Sequence, residues 1–246
     1  MKAPKIILLL AVLMATIPAC GQGRKYLPMF AAGLRVGSNL SDIRLTDNVY
    51  DIYDHSMKPC VITGAYFQYR PIAGISFRPE VTYKSRGGVL TCNDVHYNLL
   101  ANSLNFRLCM QLDFYTSRSY SSFYIMAAPS VNNAFGGHVN YSSNNTGEIR
   151  MKLSSSSIGE TDFELFFGAG FEYPIWAGSS MWLLSAEAGY AFSLTDNFTA
   201  GEHNGTVTTL NHADLSHPAS GSRLFRGFEV AVRMGMPFGK KLKIRR

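Results

Sequence analysis

From residue 75 to residue 84 the chain changes character at every step. Ile75, Phe77, Pro79, Val81 and Tyr83 alternate with Ser76, Arg78, Glu80, Thr82 and Lys84. A side-chain period of two sends such sets to opposite faces of a sheet. The same alternation predicts strands over residues 30–40, 61–69, 75–84, 99–114, 120–131, 162–173, 182–192 and 227–238. In the fourth, Leu104, Phe106, Leu108, Met110, Leu112 and Phe114 oppose Ser103, Asn105, Arg107, Cys109, Gln111 and Asp113.

The connections alternate in length. Short ones cover 71–74, 115–119 and 174–180, and long ones cover 41–59, 85–98, 132–161 and 193–223. Short turns on one side and long loops on the other are characteristic of outer-membrane barrels. The sequence therefore predicts an all-β fold: an eight-stranded, antiparallel, up-and-down transmembrane β-barrel with long outer loops and short periplasmic turns. Even strand parity returns both termini to the periplasm. Phe30, Tyr69, Phe77, Phe114, Phe123, Tyr173, Trp182 and Phe238 fall at the periplasmic ends of their strands. Aromatic rings favour that headgroup level.

The amino terminus agrees with export. Lys2 and Lys5 precede an apolar run from Ile6 to Met14, too short to span a bilayer and of signal-peptide length. Elsewhere no apolar run reaches the roughly 18 residues a transmembrane helix needs. The expected organisation is a signal peptide over 1–21, a linker over 22–29, the barrel over 30–238 and a basic periplasmic tail over 239–246. Ala19-Cys20-Gly21 suits ordinary signal peptidase, and Ile17-Pro18-Ala19-Cys20 also has the form of a lipobox; both readings of Cys20 stand. The net charge of +6 sits largely at the two ends. It points to no nucleic acid; the expected partners are the outer-membrane bilayer of a Gram-negative bacterium and a protein at the outer loops.

Inward positions carry Arg35, Arg70, Arg78, Lys84, Arg107 and Arg233 against Glu80, Asp162, Glu164, Glu172, Glu187 and Glu229. Eight strands leave an interior just wide enough for side chains. A closed network of ion pairs is the expected filling, with inward glycines such as Gly33, Gly168, Gly170, Gly189 and Gly235 making room. Besides Cys20 there are Cys60, Cys92 and Cys109; a Cys60–Cys92 bridge near the outer rim is one arrangement, and Cys109 reads as an inward filler. The six histidines (His55, His96, His138, His203, His212 and His217) all fall in predicted outer loops, and no predicted strand carries one. Their spacing with Asp51, Asp54, Asp94, Glu202 and Asp214 matches no tight metal-ligand pattern. Asp94 and His96 could imitate an omptin-like Asp-His site, but eight strands are too few for that class and one Asp-x-His pair occurs often by chance. No nucleophile elbow, phosphate loop or metalloprotease helix is present. No catalytic residue, cofactor site or metal site is predicted.

Four stretches resemble the PorT-like outer-membrane β-barrel proteins of the Bacteroidetes. They are Gly33-x-x-x-Gly37-x-Asn39-x-Ser41, Phe77-Arg78-Pro79-Glu80-Val81-Thr82-Tyr83 followed by Gly87-Gly88, Gly168-Ala169-Gly170-Phe171-Glu172, and Met234-Gly235-Met236-Pro237-Phe238 before a basic tail. The stretch 102–105 lacks the proline usual in that family. The resemblance implies an outer-membrane barrel. The expected role is non-enzymatic, structural or interactive through surface loops. The alternatives are a narrow channel or secretion-associated barrel and, behind them, a loop-borne enzyme.

Overall fold

The computed structural model describes residues 26–45, 54–92, 95–115, 121–143, 147–153, 161–177, 180–195 and 223–243. Among these residues nine strands form: β1 (Tyr26–Leu45), β2 (Asp54–Ile72), β3 (Ile75–Cys92), β4 (Val95–Tyr115), β5 (Ser122–Ser143), β6 (Gly147–Leu153), β7 (Thr161–Ala177), β8 (Ser180–Ser193) and β9 (Arg223–Lys243). All pair antiparallel. β1 pairs with β2 and β9, and the β4–β5 and β5–β7 ladders complete a closed ring of eight strands. The ninth, β6, folds back on the upper part of β5 only. Opposite ends of the chain meet where Tyr26 pairs with Lys243, as even parity requires.

Alternation sorts the two faces as the sequence predicts. Leu34, Val36, Val81, Phe106, Leu108, Phe167, Val232 and Met234 are exposed on the outside, while Arg35, Arg78, Glu80, Arg107, Glu187 and Glu229 are buried within. Along β4 the apolar set from Phe114 to Leu104 covers ten residue steps, about 34 Å of strand. At the usual barrel tilt that spans a hydrophobic band of about 25 Å. At the periplasmic edge of the band Phe30 lies 5.4 Å from Tyr69, 5.7 Å from Phe238 and 5.8 Å from Phe67, ring centre to ring centre. Tyr83 and Phe135 meet at 6.0 Å near the outer edge, an aromatic contact the sequence reading did not assign. Gly74, with φ of 103°, turns β2 into β3; glycine reaches that region without a Cβ clash.

The predicted boundaries need correction at the outer side. Only residues 93–94 separate β3 from β4, so the expected loop over 85–98 is strand continued. β5 runs on to Ser143 and β6 occupies part of the expected loop over 132–161. The upper parts of β2 to β6 thus form a five-stranded fan standing beyond the lipid-facing band. His55, His96 and His138 lie on β2, β4 and β5, which overturns the expectation that no strand carries a histidine. β1 already begins at Tyr26 and β9 extends to Lys243, so part of the expected linker and tail is strand. The signal peptide over 1–21, Cys20, Asp51, Asp94, Glu202, Asp214, His203, His212 and His217 lie outside the described residues.

Candidate functional site

The lumen collects charged side chains from strands all around the ring. Among the described residues, seven buried cations (Arg35, Arg70, Arg78, Lys84, Arg86, Arg107 and Arg233) face seven buried carboxylates (Glu80, Asp113, Asp162, Glu164, Glu172, Glu187 and Glu229). An eighth, Asp42, accepts from Arg226 at 3.2 Å on the outer rim. Strands on opposite walls supply the partners because inward positions at one height face each other across a barrel this narrow.

Five cations and four carboxylates form one continuous network. Lys84 Nζ donates to Glu164 and to Glu229, both at 2.7 Å. Arg107 reaches the same two carboxylates at 3.1 and 2.8 Å. Arg35 links Glu229 at 3.2 Å to Glu187 at 2.8 Å. Glu187 also accepts from Arg78 at 2.9 Å, lies 3.0 Å from Arg233 Nε, and takes the Tyr124 hydroxyl at 3.2 Å. Arg78 closes onto Glu80 at 2.5 Å. Above this network Arg86 pairs with Asp162, which also accepts from Ser193 and Thr195 at 2.9 Å each. Below it Arg70 pairs with Glu172, while Asp113 accepts from Ser76 at 2.7 Å.

Aromatic rings fill the space between the charges. Arg107 lies over Phe166 at 4.4 Å and Arg233 over Tyr66 at 4.9 Å. Cys109, Tyr124, Met126, Ala128, Phe166 and Ala191 make a small apolar core inside the lumen. Glycines on the facing strands admit these rings. A Cβ on Gly189 would stand 2.4 Å from Phe166, one on Gly170 2.4 Å from Tyr124, and one on Gly235 2.2 Å from the Tyr66 hydroxyl. The expected ion-pair filling is present, and its members are packed rather than arranged around an opening. Cys109 is the inward filler predicted for it.

Cys60 is buried and free. The β2–β3 register sets Asp54 opposite Thr91, so Cys92 lies beside the start of β2, six residues beyond Cys60. That is about 20 Å along the strand, far outside disulfide reach. The Cys60–Cys92 bridge does not form.

The fan carries what else is chemically distinctive. On its inner face Tyr97 meets Tyr141 edge-on at 5.5 Å, Val139 is buried, and Ile149 is 49% exposed. On its outer face Lys58 Nζ donates to Asn98 Oδ1 at 2.5 Å, and Arg150 donates to His138 Nδ1 at 3.2 Å. Partial burial, then the charges of Arg150 and Lys58, hold the His138 imidazole below its ordinary range, so the ring is neutral and accepts. Thr91 Oγ1 and His96 Nδ1 share a 3.0 Å hydrogen bond. Among the described residues no three His, Cys, Asp or Glu side chains converge as metal ligands.

A closed ring of eight tilted strands, apolar outside and ionic within, defines an outer-membrane barrel. The chain belongs to the outer membrane protein beta-barrel domain family, whose model matches residues 21–199. It therefore resides in the outer membrane of a Gram-negative bacterium, surrounded by the bilayer. Among solved structures it is similar to the outer membrane protein OprG from Pseudomonas aeruginosa, at 11% identity and a TM-score of 0.49, covering 89% of this chain and all of that one. Neisserial surface protein A aligns at 11% identity and 0.42, covering 85% and 97%. The outer membrane protease OmpT from Escherichia coli aligns at 11% and 0.42, covering 88% and 99%. No curated protein matches the sequence.

Proposed function

We propose that this barrel is a non-enzymatic interaction protein of the PorT-like type, anchored by a plugged lumen and acting through its extracellular fan and loops. The observation that carries the reading is the filled interior. Arg35, Arg78, Arg107, Arg233, Glu187 and Glu229 are each at most 4% exposed and pair with one another across the lumen. Such charges are bound to each other and serve neither as a row of ion-binding steps nor as a free acid or base.

The fan supports the interaction role. It stands clear of the lipid band, and on its inner face Ile149 is half-exposed beside Tyr141. The histidines with described side chains are held by neighbours, His96 by Thr91 and His138 by Arg150. The four sequence stretches shared with PorT-like barrels support the subtype: three lie on β1, β7 and β9, and the fourth is the ionic strand β3.

Two measurements test this. Planar-bilayer recordings of the refolded chain are expected to show no steady conductance, and neither Arg107→Gln nor Glu80→Gln opens one; ohmic steps in the unmodified protein would replace this reading with a channel. Trimming the fan by deleting residues 140–150 should leave the heat-modifiable barrel intact while abolishing contacts captured by cross-linking on whole cells. Unchanged cross-links would move the interaction elsewhere.

A further inference from the structure

The outer face of the fan continues the lipid-facing face of the barrel. β4 pairs with β5 through Leu104, Leu100 and Asn98, so the side that meets lipid at Leu104 also holds Leu100, Asn98 and His96. Cross-strand register then assigns the other strands. His138 is opposite Leu100, Lys152 opposite His138, Asn140 opposite Asn98, and Arg150 opposite Asn140. Lys58 joins this face through its bond to Asn98. Arg150 and Lys152 are exposed.

The charges on this face are sorted by height. The lowest row holds Lys58 and Lys152, with neutral His138 between them, and Arg150 is in the next row up. The carboxylate with a described side chain comes higher: Asp54 is level with Thr91 and His96. Leu100 and His138 are four residues above Leu104, about 13 Å along the strand and about 9 Å above the edge of the lipid band once tilted. The polar layer of a bilayer begins there, since headgroups add about 5–8 Å on each side of the hydrocarbon.

We infer that Lys58, Arg150 and Lys152 form a binding site for the phosphate groups of the phosphorylated glycolipid in the outer leaflet. Its acyl chains would lie along Leu104, Phe106 and Leu108, and its sugar phosphates would meet the cation rows. Three features select this occupant over a soluble one. The cations face the membrane side of the fan, they lie at headgroup height, and Asp54 is kept in the row farthest from lipid. The His138 ring, accepting from Arg150, is left with its other nitrogen as a donor towards the same layer. Arg150 supplies the planar fork that suits phosphate oxygens, and the two lysines add point charges.

The test uses the full mature chain refolded in zwitterionic micelles. The temperature at which the heat-modifiable gel band is lost is followed against added diphosphorylated lipid A, its dephosphorylated form, phosphatidylglycerol, and inorganic phosphate. Diphosphorylated lipid A is expected to protect at the lowest concentration. Arg150→Gln with Lys152→Gln should raise the concentration needed by about thirtyfold, at about fivefold per cation near a charged surface. Arg226→Gln, a rim cation already held by Asp42, should leave it unchanged. Both variants must show the ordinary folded band without lipid; should the double variant fail to fold, Lys58→Gln alone is read for its fivefold share. Equal protection by the dephosphorylated lipid, by phosphatidylglycerol or by free phosphate overturns the assignment. So does a double variant that responds like the parent, or the absence of protection by any lipid.

Discussion

Replacing Glu187 by Gln removes one charge at the junction of three arginines and keeps the shape. Glu187 accepts from Arg35 at 2.8 Å and Arg78 at 2.9 Å, and faces Arg233 at 3.0 Å. Hydrogen bonds to charged groups contribute about 1.5–3 kcal/mol each, so a naive sum for three would approach about 5–9 kcal/mol. Two of the three cations keep other partners, however. Arg35 retains Glu229 at 3.2 Å and Arg78 retains Glu80 at 2.5 Å. Arg233 keeps the Tyr124 hydroxyl at 2.8 Å and the Tyr66 face, and among the described residues no second carboxylate. The net loss is therefore one orphaned buried cation, about 3–5 kcal/mol.

Equilibrium unfolding in urea from phospholipid vesicles measures this, followed by Trp176 and Trp182 fluorescence and by the heat-modifiable band. With a slope of about 2 kcal/mol/M, the midpoint should fall by about 1.5–2.5 M. Arg233→Gln alone should cost less, because Glu187 would keep Arg35 and Arg78. The double variant should lose about 1–3 kcal/mol less than the sum of the two singles. A Glu187→Gln midpoint within about 0.3 M of the parent, or strict additivity in the cycle, would refute the view that the lumen is held by a shared network.

Other outcomes follow from the same geometry. Leu108→Arg, at the middle of the lipid band, should destabilise by about 2–4 kcal/mol, whereas Leu100→Arg above the band should cost at most about 1 kcal/mol; equal costs in vesicle unfolding would misplace the band. Gly235→Ala sets a methyl against the Tyr66 hydroxyl and should lose about 1–3 kcal/mol. Tyr66→Phe in the same chain should restore part of it, and no restoration would show that the backbone of Ala32 is the obstacle. Cys60 and Cys109 should resist maleimide in the folded barrel and react after boiling. Fast labelling of either in the folded form would contradict their burial.

The lipid-spanning part of the fold was legible because bilayer and lumen impose opposite demands on alternate residues. Phe106 beside Arg107, or Val81 beside Glu80, leaves only one orientation. Above the bilayer that contrast ends, because the outer face also meets water. Residues 85–92 and 132–143 are still strand, yet Ser85, Asn132, Asn133 and Gly137 read as loop residues without an apolar partner set. The same loss of signal hid Arg86 as an inward residue and placed His138 in a loop. One clue was present: His96 and Asn98 keep the parity of Leu104 and Leu100. Register shifts beside Ser103 and between Met57 and Ile62 reverse the alternation before His138 and Lys58, so parity alone does not reach the cation rows. The ion-pair members inside the band could be named from parity, but not matched. Arg35 and Glu187 are 152 positions apart, and only ring closure brings them together.

A barrel in lipid gains nothing from an apolar lumen that it does not risk at its outer face. Were the inward residues apolar, each strand would present two equivalent faces, and a one-residue slip would go unpunished. With the lumen as it is, slipping β3 by one residue would turn Arg78, Glu80, Lys84 and Arg86 towards the outer face. Basic side chains at mid-membrane depth cost about 2–4 kcal/mol each, less near the interfaces, so the penalty of a slip approaches about 5–10 kcal/mol. That rivals the whole stability of an ordinary domain, whereas buried ion pairs often add little net stability over well-packed apolar residues. The charges of the lumen therefore act chiefly on register. Replacing Lys84, Arg107, Glu164 and Glu229 together by Met or Leu tests this. The expected result is a folded fraction as resistant to urea as the parent, but accompanied by a new membrane-bound fraction that is not heat-modifiable. If refolding of that variant is as complete as that of the parent, register is fixed elsewhere, in the turns.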